Sequence, residues 1–125
     1  MNSNDVGRAL VDLCKQGKNL EAVDTLFAAD VVSEEAMESP AMSRVMKGIE
    51  AVRGKNQWWI DNHEIHGQVV TGPFPNGDEF AVTFAIDCTA KAGPMTGQRM
   101  TLQEVALYTV KDGKIVREKF FYSMG

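Results

Sequence analysis

The sequence lacks the features that mark secreted and membrane proteins. Its two cysteines, Cys14 and Cys88, are too few for a disulfide framework, and both lie in patterned apolar segments, where cysteines are usually buried free thiols. No apolar run approaches the roughly 20 residues needed to cross a bilayer. The first five residues have neither the positive charge nor the apolar core of a signal peptide. The composition therefore predicts a cytoplasmic protein without disulfides or a membrane segment.

Positive charge is also scarce. Lysine and arginine together number 13 against 17 aspartates and glutamates, so the net charge is −4. Nucleic acids and anionic membranes select basic surfaces, and we expect neither as a partner. With 44% hydrophobic and 24% charged residues, the chain is typical of a folded globular protein. It is long enough to bury a core as one domain, residues 1–125.

Several motifs of catalysis and cofactor binding are missing as well. The sequence has no glycine-rich phosphate loop, no serine nucleophile elbow and no cysteine pair at metal-binding spacing. In the run His63-Glu64-Ile65-His66, one residue separates the leading His-Glu pair from the second histidine, whereas zinc proteases need two. We therefore expect neither a metal ion nor a cofactor.

The C-terminal third carries the strongest structural signal. Two runs of β-branched and aromatic residues are joined by the sequence Lys-Asp-Gly-Lys at 111–114, which predicts a β-hairpin. A two-residue Asp-Gly turn would set Lys111 directly opposite Lys114, and facing like charges destabilise a strand pair. We therefore expect a type I turn with Gly113 as a left-handed bulge residue, which pairs Val110 with Lys114.

This register divides the hairpin into two faces and pairs Ala106 with Glu118. The first face is apolar and aromatic but contains two carboxylates; its members are Leu102, Glu104, Ala106, Tyr108, Val110, Val116, Glu118, Phe120 and Tyr122. The second face mixes polar and apolar side chains; its members are Thr101, Gln103, Val105, Leu107, Thr109, Ile115, Arg117, Lys119 and Phe121. A carboxylate on an apolar face is typical of a binding site.

The rest of the chain predicts three helices and three more strands. Apolar residues recur at helical spacing after a cap at Asn4 or Asp5, after a cap at Asn19, and after Gly48. The expected order begins with a helix ending at Gly17, a helix from Asn19 and a strand at 31–36. A loop at 37–47, which holds Pro40, and a helix at 49–62 follow. Strands at 65–71 and 79–89, separated by a turn at 72–78, then lead to the hairpin. Helices gathered on one face of a strongly curved, mainly antiparallel sheet make an α+β cone.

Four segments resemble a known superfamily in their sequence and order. They are Ala29-Asp30-Val31-Val32, Gly48-Ile49-Glu50-Ala51-Val52-Arg53, Val110-Lys111-Asp112-Gly113-Lys114-Ile115 and the aromatic ending Phe120-Phe121-Tyr122. Together they resemble the nuclear transport factor 2-like superfamily, and within it the SnoaL-like polyketide cyclase and ketosteroid isomerase branch. The likeness covers nearly the whole chain.

The resemblance implies a cystatin-like cone with a deep apolar pocket between the helices and the concave face of the sheet, usually within a dimer. Enzymes of this family use a pocket carboxylate as a general base on carbon acids or water. For this chain it implies a cofactor-independent isomerase, cyclase or hydrolase acting on an apolar small molecule. The alternative is a non-catalytic ligand-binding or dimerisation module, because the same cone also occurs without an activity.

Two of the three candidate catalytic residues, Glu118 and Glu104, lie on the aromatic face of the hairpin. Desolvation in an apolar pocket raises the pKa of a carboxyl group, which suits a general base that works near neutral pH. The alternatives are structural. Glu118 is then the partner of a neighbouring arginine or lysine, and Glu104 lies at the wet mouth of the pocket.

Glu35 is the third candidate, and it rests on the resemblance. In the isomerase-like members the catalytic aspartate lies at the end of the first strand, a few positions after an Ala-Asp start, which occurs here at 29–30. This chain has Glu-Glu-Ala where those enzymes have an aspartate followed by proline. Glu34 and Glu38 are therefore alternatives for the inward group, and a solvated acidic edge is another reading of the three glutamates.

Aromatic, polar and sulfur-containing side chains are predicted to line the pocket. The candidate ligand-binding residues are Trp59, His63, Phe84, Met100, Tyr108, Phe120 and Tyr122. The two tyrosine hydroxyls suit a hydrogen bond to a ligand carbonyl or enolate, and methionine adapts to irregular apolar ligands. Indole and phenol rings at such positions are also common in ordinary protein cores.

The outer face of the hairpin predicts a homodimer. It brings Val105, Leu107, Ile115 and Phe121 side by side, and this is more contiguous apolar surface than a monomer usually leaves in water.

Overall fold

The computed structural model describes residues 1–39 and 42–123, so Pro40 of the predicted loop lies outside the described residues. Within these ranges the chain forms three helices and six strands. In chain order they are α1 (Ser3–Lys15), α2 (Asn19–Leu26), β1 (Phe27–Glu34), β2 (Val45–Lys47), α3 (Ile49–Asp61), β3 (His63–Asn76), β4 (Glu79–Ala90), β5 (Arg99–Lys111) and β6 (Lys114–Phe121).

The strands form one sheet in the order β2-β1-β6-β5-β4-β3. Strands β1 and β6 are parallel, and every other neighbouring pair is antiparallel. The helices pack on one side of this sheet, here called the inner face, and the opposite side is the outer face. The arrangement confirms the predicted α+β class.

Strand β4 supplies the centre of the core. Its side chains alternate strictly in burial, as a strand with one face on a core requires. Five alternate residues of this strand are buried, and they are Phe80, Val82, Phe84, Ile86 and Cys88. They pack in one cluster with buried residues of α1, among them Val6 and Leu10.

The helix starts differ from the sequence prediction. Helix α1 is capped by Asn2, not by Asn4 or Asp5. The Asn2 side chain accepts a hydrogen bond from the Asp5 amide at 2.8 Å, and the Asp5 carboxylate accepts one from the Asn2 amide at 3.1 Å. This reciprocal capping box makes Asp5 a residue of the first turn. Helix α2 has Lys18 at its cap without a side-chain hydrogen bond, and Asn19 is already helical.

Two strands are longer than predicted and one is additional. Strand β1 starts at Phe27 rather than at residue 31, and the predicted loop contains β2, which pairs with β1. Strand β3 continues to Asn76 through the predicted turn, with a register shift between Thr71 and Phe74. Strand β3 lies at the edge of the sheet, where prolines and irregular pairing are tolerated because one side of the strand has no partner.

The hairpin turn was predicted incorrectly. Lys111 pairs with Lys114, and Val110 pairs with Ile115 rather than with Lys114. Asp112 and Gly113 have φ of 52° and 76°, as a two-residue type I′ turn requires. The expected repulsion is avoided because the Lys114 ammonium donates to the Thr25 carbonyl of α2 at 2.7 Å.

A bulge lies one step beyond the turn. Thr109 pairs with Arg117 while Val110 pairs with Ile115, so Val116 is the extra residue. Ile115, predicted on the outer face, is therefore fully buried. Past the bulge the inward set is as predicted, but the pairs move by two residues. Glu118 lies opposite Tyr108 instead of Ala106.

The turn glycine gives a first prediction. Gly113→Ala should lower the free energy of unfolding by about 1 kcal/mol, because an L-residue is strained at positive φ. The added Cβ would also lie 3.2 Å from the Met1 carbonyl oxygen. Chemical denaturation measures the change, and an unchanged midpoint would contradict the left-handed turn. Gly54→Ala is the matched control. It lies inside α3 with open space around the added carbon and should gain about 0.5–1 kcal/mol.

Candidate active site

Glu118 lies near the middle of the sheet with 3% of its surface exposed. Strands β1 and β5 flank β6, and their registers place Ser33 and Tyr108 directly beside it. The Ser33 hydroxyl donates to Glu118 Oε1 at 2.7 Å. Burial raises the pKa of Glu118, although the nearby Lys55 ammonium and the Ser33 hydroxyl act in the opposite direction.

The cation beside Glu118 comes from helix α3. Lys55 Nζ lies 2.5 Å from Ser33 Oγ, 2.9 Å from Glu35 Oε2 and 3.7 Å from Glu118 Oε1. The same nitrogen lies 4.8 Å from the centre of the Phe120 ring, within the range of a cation–π interaction. Ser33, Glu35, Lys55 and Glu118 are called the Lys55 cluster below.

Sequence reasoning missed Ser33 and Lys55. Both lie at inward-facing positions of their strand or helix, and such positions are usually apolar. Ser33 follows Val31 by two in a strand whose inward side chains alternate, and Lys55 follows Val52 by three on the buried side of α3. A polar residue at such a position is the signal that could have identified them.

Glu35 extends the Lys55 cluster toward the C-terminus. Its Oε1 accepts a hydrogen bond from the Tyr122 hydroxyl at 3.1 Å, and burial together with the Glu35 carboxylate raises the pKa of Tyr122 to about 12. The neighbouring glutamates point elsewhere. Glu34 pairs with Arg44 and Arg117 at 2.9 and 3.0 Å, and Glu38 is exposed.

Glu104 differs from the other two carboxylates. It lies on β5 opposite Phe84, partly exposed, and among the described residues no hydrogen bond or ion pair to its carboxylate is seen. Desolvation, followed by the negative charge of Glu35, raises its pKa to about 7; Lys55 acts against this and Glu118 adds to it. Glu104 is therefore a carboxylate whose charge changes near neutral pH.

Two of the predicted pocket residues stack on each other at the end of α3. The rings of Trp59 and His63 are nearly parallel with centroids 4.1 Å apart. His63 Nδ1 lies 2.8 Å from the Trp59 carbonyl oxygen. Trp58, by contrast, is 40% exposed, because adjacent residues of a helix cannot both face the core.

The remaining predicted ligand-binding residues divide into two groups. Phe84 and Tyr108 are buried in the core, where the Tyr108 ring stacks on Phe80 at 5.1 Å. Met100 and Phe120 are partly buried and pack against that core. The structure thus brings Glu35, Glu104, Glu118 and Tyr122 to one region of the inner face, while Tyr108 is enclosed beneath it.

Two surface hollows lie away from the Lys55 cluster. One, of about 340 Å³, lies between β4, β5 and Phe121 and includes Val105 and Gln103. The other, of about 470 Å³, surrounds the start of α3 at Gly48. In the described part of the chain, no three His, Cys, Asp or Glu side chains are placed to hold a metal ion.

The raised pKa of Glu118 gives a second prediction. Its folded-state value lies above the unfolded value of about 4.3, so the wild-type protein should lose stability as pH rises from that value through the folded pKa. Glu118→Gln removes this loss and leaves Lys55 paired with Glu35. We therefore expect equal or greater stability than wild type at pH 7, with a smaller advantage at pH 4. Denaturation at both pH values measures it, and a strong loss at pH 7 would make Glu118 a structural ion-pair partner.

The comparison with known families identifies the chain. The profile of the SnoaL-like domain matches residues 1–122. The chain belongs to the SnoaL-like family. The predicted relationship is therefore confirmed, and it extends over almost the full sequence. No curated protein is similar enough to count as a match.

Solved structures agree with the family assignment. A candidate SnoaL-like polyketide cyclase from Mesorhizobium loti, whose name also mentions carbohydrate phosphatase, is 48% identical with a TM-score of 0.90, covering 98% of this chain and all of the other. A nuclear transport factor 2-like protein of unknown function from Burkholderia pseudomallei is 17% identical with a TM-score of 0.78, covering 98% and 92%. The latter shows the fold alone.

A further structure of this fold contains a small molecule. It is a protein with a ketosteroid isomerase-like fold from Catenulispora acidiphila, in complex with trimethylamine, and it is 22% identical with a TM-score of 0.70, covering 94% and 84% of the two chains.

In the SnoaL-like chain itself, no helix within residues 1–39 and 42–123 is long and apolar enough to span a membrane.

Proposed function

We propose that this SnoaL-like protein binds a small, largely apolar molecule at the inner face of its sheet and transfers a proton on it without a cofactor. The reaction class is that of an isomerase, cyclase or hydrolase that uses carboxylate acid–base chemistry. Glu104 is the proposed general base. The observation that carries the proposal is the partly exposed Glu104 carboxylate on an apolar face, without a hydrogen-bond or ion-pair partner among the described residues.

The protonation of Glu104 supports this role. A general base is most effective when its pKa lies near the working pH, and burial raises the pKa of Glu104 to about 7. Glu118, which sequence reasoning ranked with Glu104, is a weaker candidate for direct contact because it is enclosed and already bonded to Ser33. Glu35 is held by Lys55 and Tyr122.

The surroundings of Glu104 support an apolar ligand. Leu102, Phe120 and Met100 are partly buried side chains at the margin of the core, and Tyr122 adds a hydroxyl near Glu35. The Catenulispora relative binds trimethylamine, and the Mesorhizobium relative is named as a candidate polyketide cyclase. Both names are compatible with a small organic ligand, which we propose for this chain as well.

One observation favours the alternative of a non-catalytic binding module. Two of the three carboxylates, Glu35 and Glu118, are paired within the Lys55 cluster, so chemistry depends on Glu104 alone. The two functions differ in a measurable way, because a base at this position exchanges protons with a bound carbon acid and a binding module does not.

Deuterium exchange tests the proposed function. Small apolar ketones and 1,3-dicarbonyl compounds are incubated with the protein in D₂O, and proton NMR follows the loss of the signal next to the carbonyl. Catalysed exchange above the buffer rate, rising with pH through about 7 as Glu104 ionises, would support the proposal. Ligand line broadening without exchange across the panel would favour the binding module.

We also propose that two copies associate through the outer face of the sheet. Val105 and Phe121 remain 39% and 47% exposed there, whereas Ile115 no longer contributes because it is buried. Sedimentation at micromolar concentration should show a dimer, and Val105→Asp should shift it toward monomer by placing a charge in the apolar contact. A wild-type protein that sediments only as a monomer would refute this assembly.

A further inference from the structure

Lys55 connects three elements that meet near the proposed base. It projects from α3, and its ammonium contacts Ser33 of β1, Glu35 just after β1, and Glu118 of β6. Its side chain is only 10% exposed, and those of Glu35 and Glu118 are 25% and 3% exposed. A lysine enclosed to this degree holds Glu35 by charge and by a hydrogen bond, and it attracts the more distant Glu118 by charge.

The Lys55 ammonium makes two hydrogen bonds and one longer ion pair. It lies 2.5 Å from Ser33 Oγ and 2.9 Å from Glu35 Oε2, and Glu118 Oε1 lies 3.7 Å away. The Ser33 hydroxyl donates a hydrogen bond to Glu118 Oε1 at 2.7 Å, and the second oxygen of Glu35 accepts one from the Tyr122 hydroxyl. The chain of contacts therefore runs without a break from the enclosed Glu118 to the partly exposed Tyr122.

Lys55 and Glu104 are neighbours on the inner face. Glu104 lies two residues from Ala106 on the same face of β5, and Ala106 pairs with Phe120, whose ring centre lies 4.8 Å from Lys55 Nζ. The titratable groups that act on Glu104 are Glu35 after β1, Lys55 on α3 and Glu118 on β6, with the neutral phenols of Tyr108 on β5 and Tyr122 after β6. Its partner on β4, Phe84, carries no charge. Of these groups Lys55 alone is a cation, so the local charge depends on one side chain.

We propose that Lys55 is a positioning residue for the base Glu104. From α3 its ammonium lies 2.9 Å from a carboxyl oxygen of Glu35 and 3.7 Å from one of Glu118, and this positive charge sets the electrostatic environment in which Glu104 gains and loses its proton. This inference rests on the proposed function, because it assigns Lys55 a role in the chemistry of Glu104 rather than in folding alone.

Carboxyl titration by ¹³C NMR tests the inference without a known substrate. Protein labelled at the glutamate side-chain carboxyl carbon is titrated, and Glu104→Gln assigns the Glu104 signal. Lys55→Met is compared with its parent in the Glu118→Gln background, so that no enclosed anion is left without its partner and the fold is preserved. The Glu104 midpoint should rise by about half a pH unit or more when the cation is removed.

Two control variants separate positioning from folding. Lys55→Arg retains the positive charge and should keep the midpoint within about 0.3 units of its parent. Ser33→Ala removes one contact of Lys55 but leaves its ion pair with Glu35, and it should also leave the midpoint in place. Both controls change the packing around Lys55. If Lys55 had only a structural role, both controls would therefore shift the Glu104 midpoint as Lys55→Met does.

The possible results lead to different conclusions. The inference is supported if the Glu104 midpoint lies near 7 in the wild type, rises when Lys55→Met is added to its Glu118→Gln parent, and is unchanged by Lys55→Arg. A midpoint near 7 that does not move overturns the inference and leaves the proposed function intact. A wild-type midpoint near the ordinary value of about 4.3 overturns Glu104 as the poised base, and with it the role of Lys55.

Discussion

Lys55→Met should lower the free energy of unfolding at pH 7 by about 3 kcal/mol, since removing one partner of a buried ion pair leaves an uncompensated charge. The uncompensated charge is on Glu118, because this residue is 3% exposed and the Ser33 hydroxyl is then its remaining hydrogen-bond partner among the described residues. Glu35 loses the same partner but is more exposed, so water can solvate it. Methionine preserves the length of the buried stem, which limits any loss of packing.

The pH dependence and a double variant identify the cause. Glu118 is protonated in the folded and unfolded states below about pH 4, so the loss caused by Lys55→Met should shrink there and be largest above the folded pKa. Adding Glu118→Gln should recover most of the loss at pH 7, because a neutral amide replaces the orphaned anion. Urea denaturation of the four proteins at both pH values completes the cycle. A loss that is independent of pH and of Glu118 would indicate packing alone.

Glu104→Gln should reduce the catalysed rate of proton exchange by about 10²–10⁴-fold, the usual contribution of a positioned general base. Glutamine keeps the shape of the side chain but cannot take up a proton. The protein should retain its fold, because ionising Glu104 above its raised pKa opposes folding and the amide removes that cost. Above pH 7 the variant should therefore be as stable as wild type, or more so.

The pH profile provides a second measure of the same residue. A base acts when ionised, so the wild-type rate should rise with pH and level off above about 7. Tyr122, with a pKa of about 12, stays protonated throughout this range. Glu64→Gln is the matched control, since Glu64 is an exposed carboxylate on β3, and it should retain full activity. Equal rates for Glu104→Gln and wild type would remove Glu104 from the mechanism.

Strand periodicity predicted most of the side chains that lie on the inner face of the sheet. Alternation predicted that Glu104 and Glu118 lie on one face of the hairpin, as found. This succeeded although the predicted turn was wrong, because the two-residue turn and the bulge at Val116 together shift the pairing by two. Side chains repeat with period two along a strand, so an even shift changes the partners and keeps the face.

Pairing partners and helix ends were predicted less well. The choice of turn depended on repulsion between Lys111 and Lys114. In the structure the Lys114 ammonium instead donates to the carbonyl of Thr25, which is 89 residues away in sequence. Strand β2 and the extension of β3 likewise form through partners elsewhere in the sheet. Local propensity contains no information about these neighbours, and it therefore placed loops there.

The fold class, the family and the face on which each hairpin carboxylate lies follow from periodicity and local motifs, so they could be predicted from the sequence. The burial and pairing of each carboxylate depend on the folded chain. It encloses Glu118, pairs Glu35 with a lysine from α3, and leaves Glu104 without a described partner. Protonation depends on burial and on charges within a few ångströms, and these are set by residues from α3, β1 and β6 that the chain brings together only when it folds.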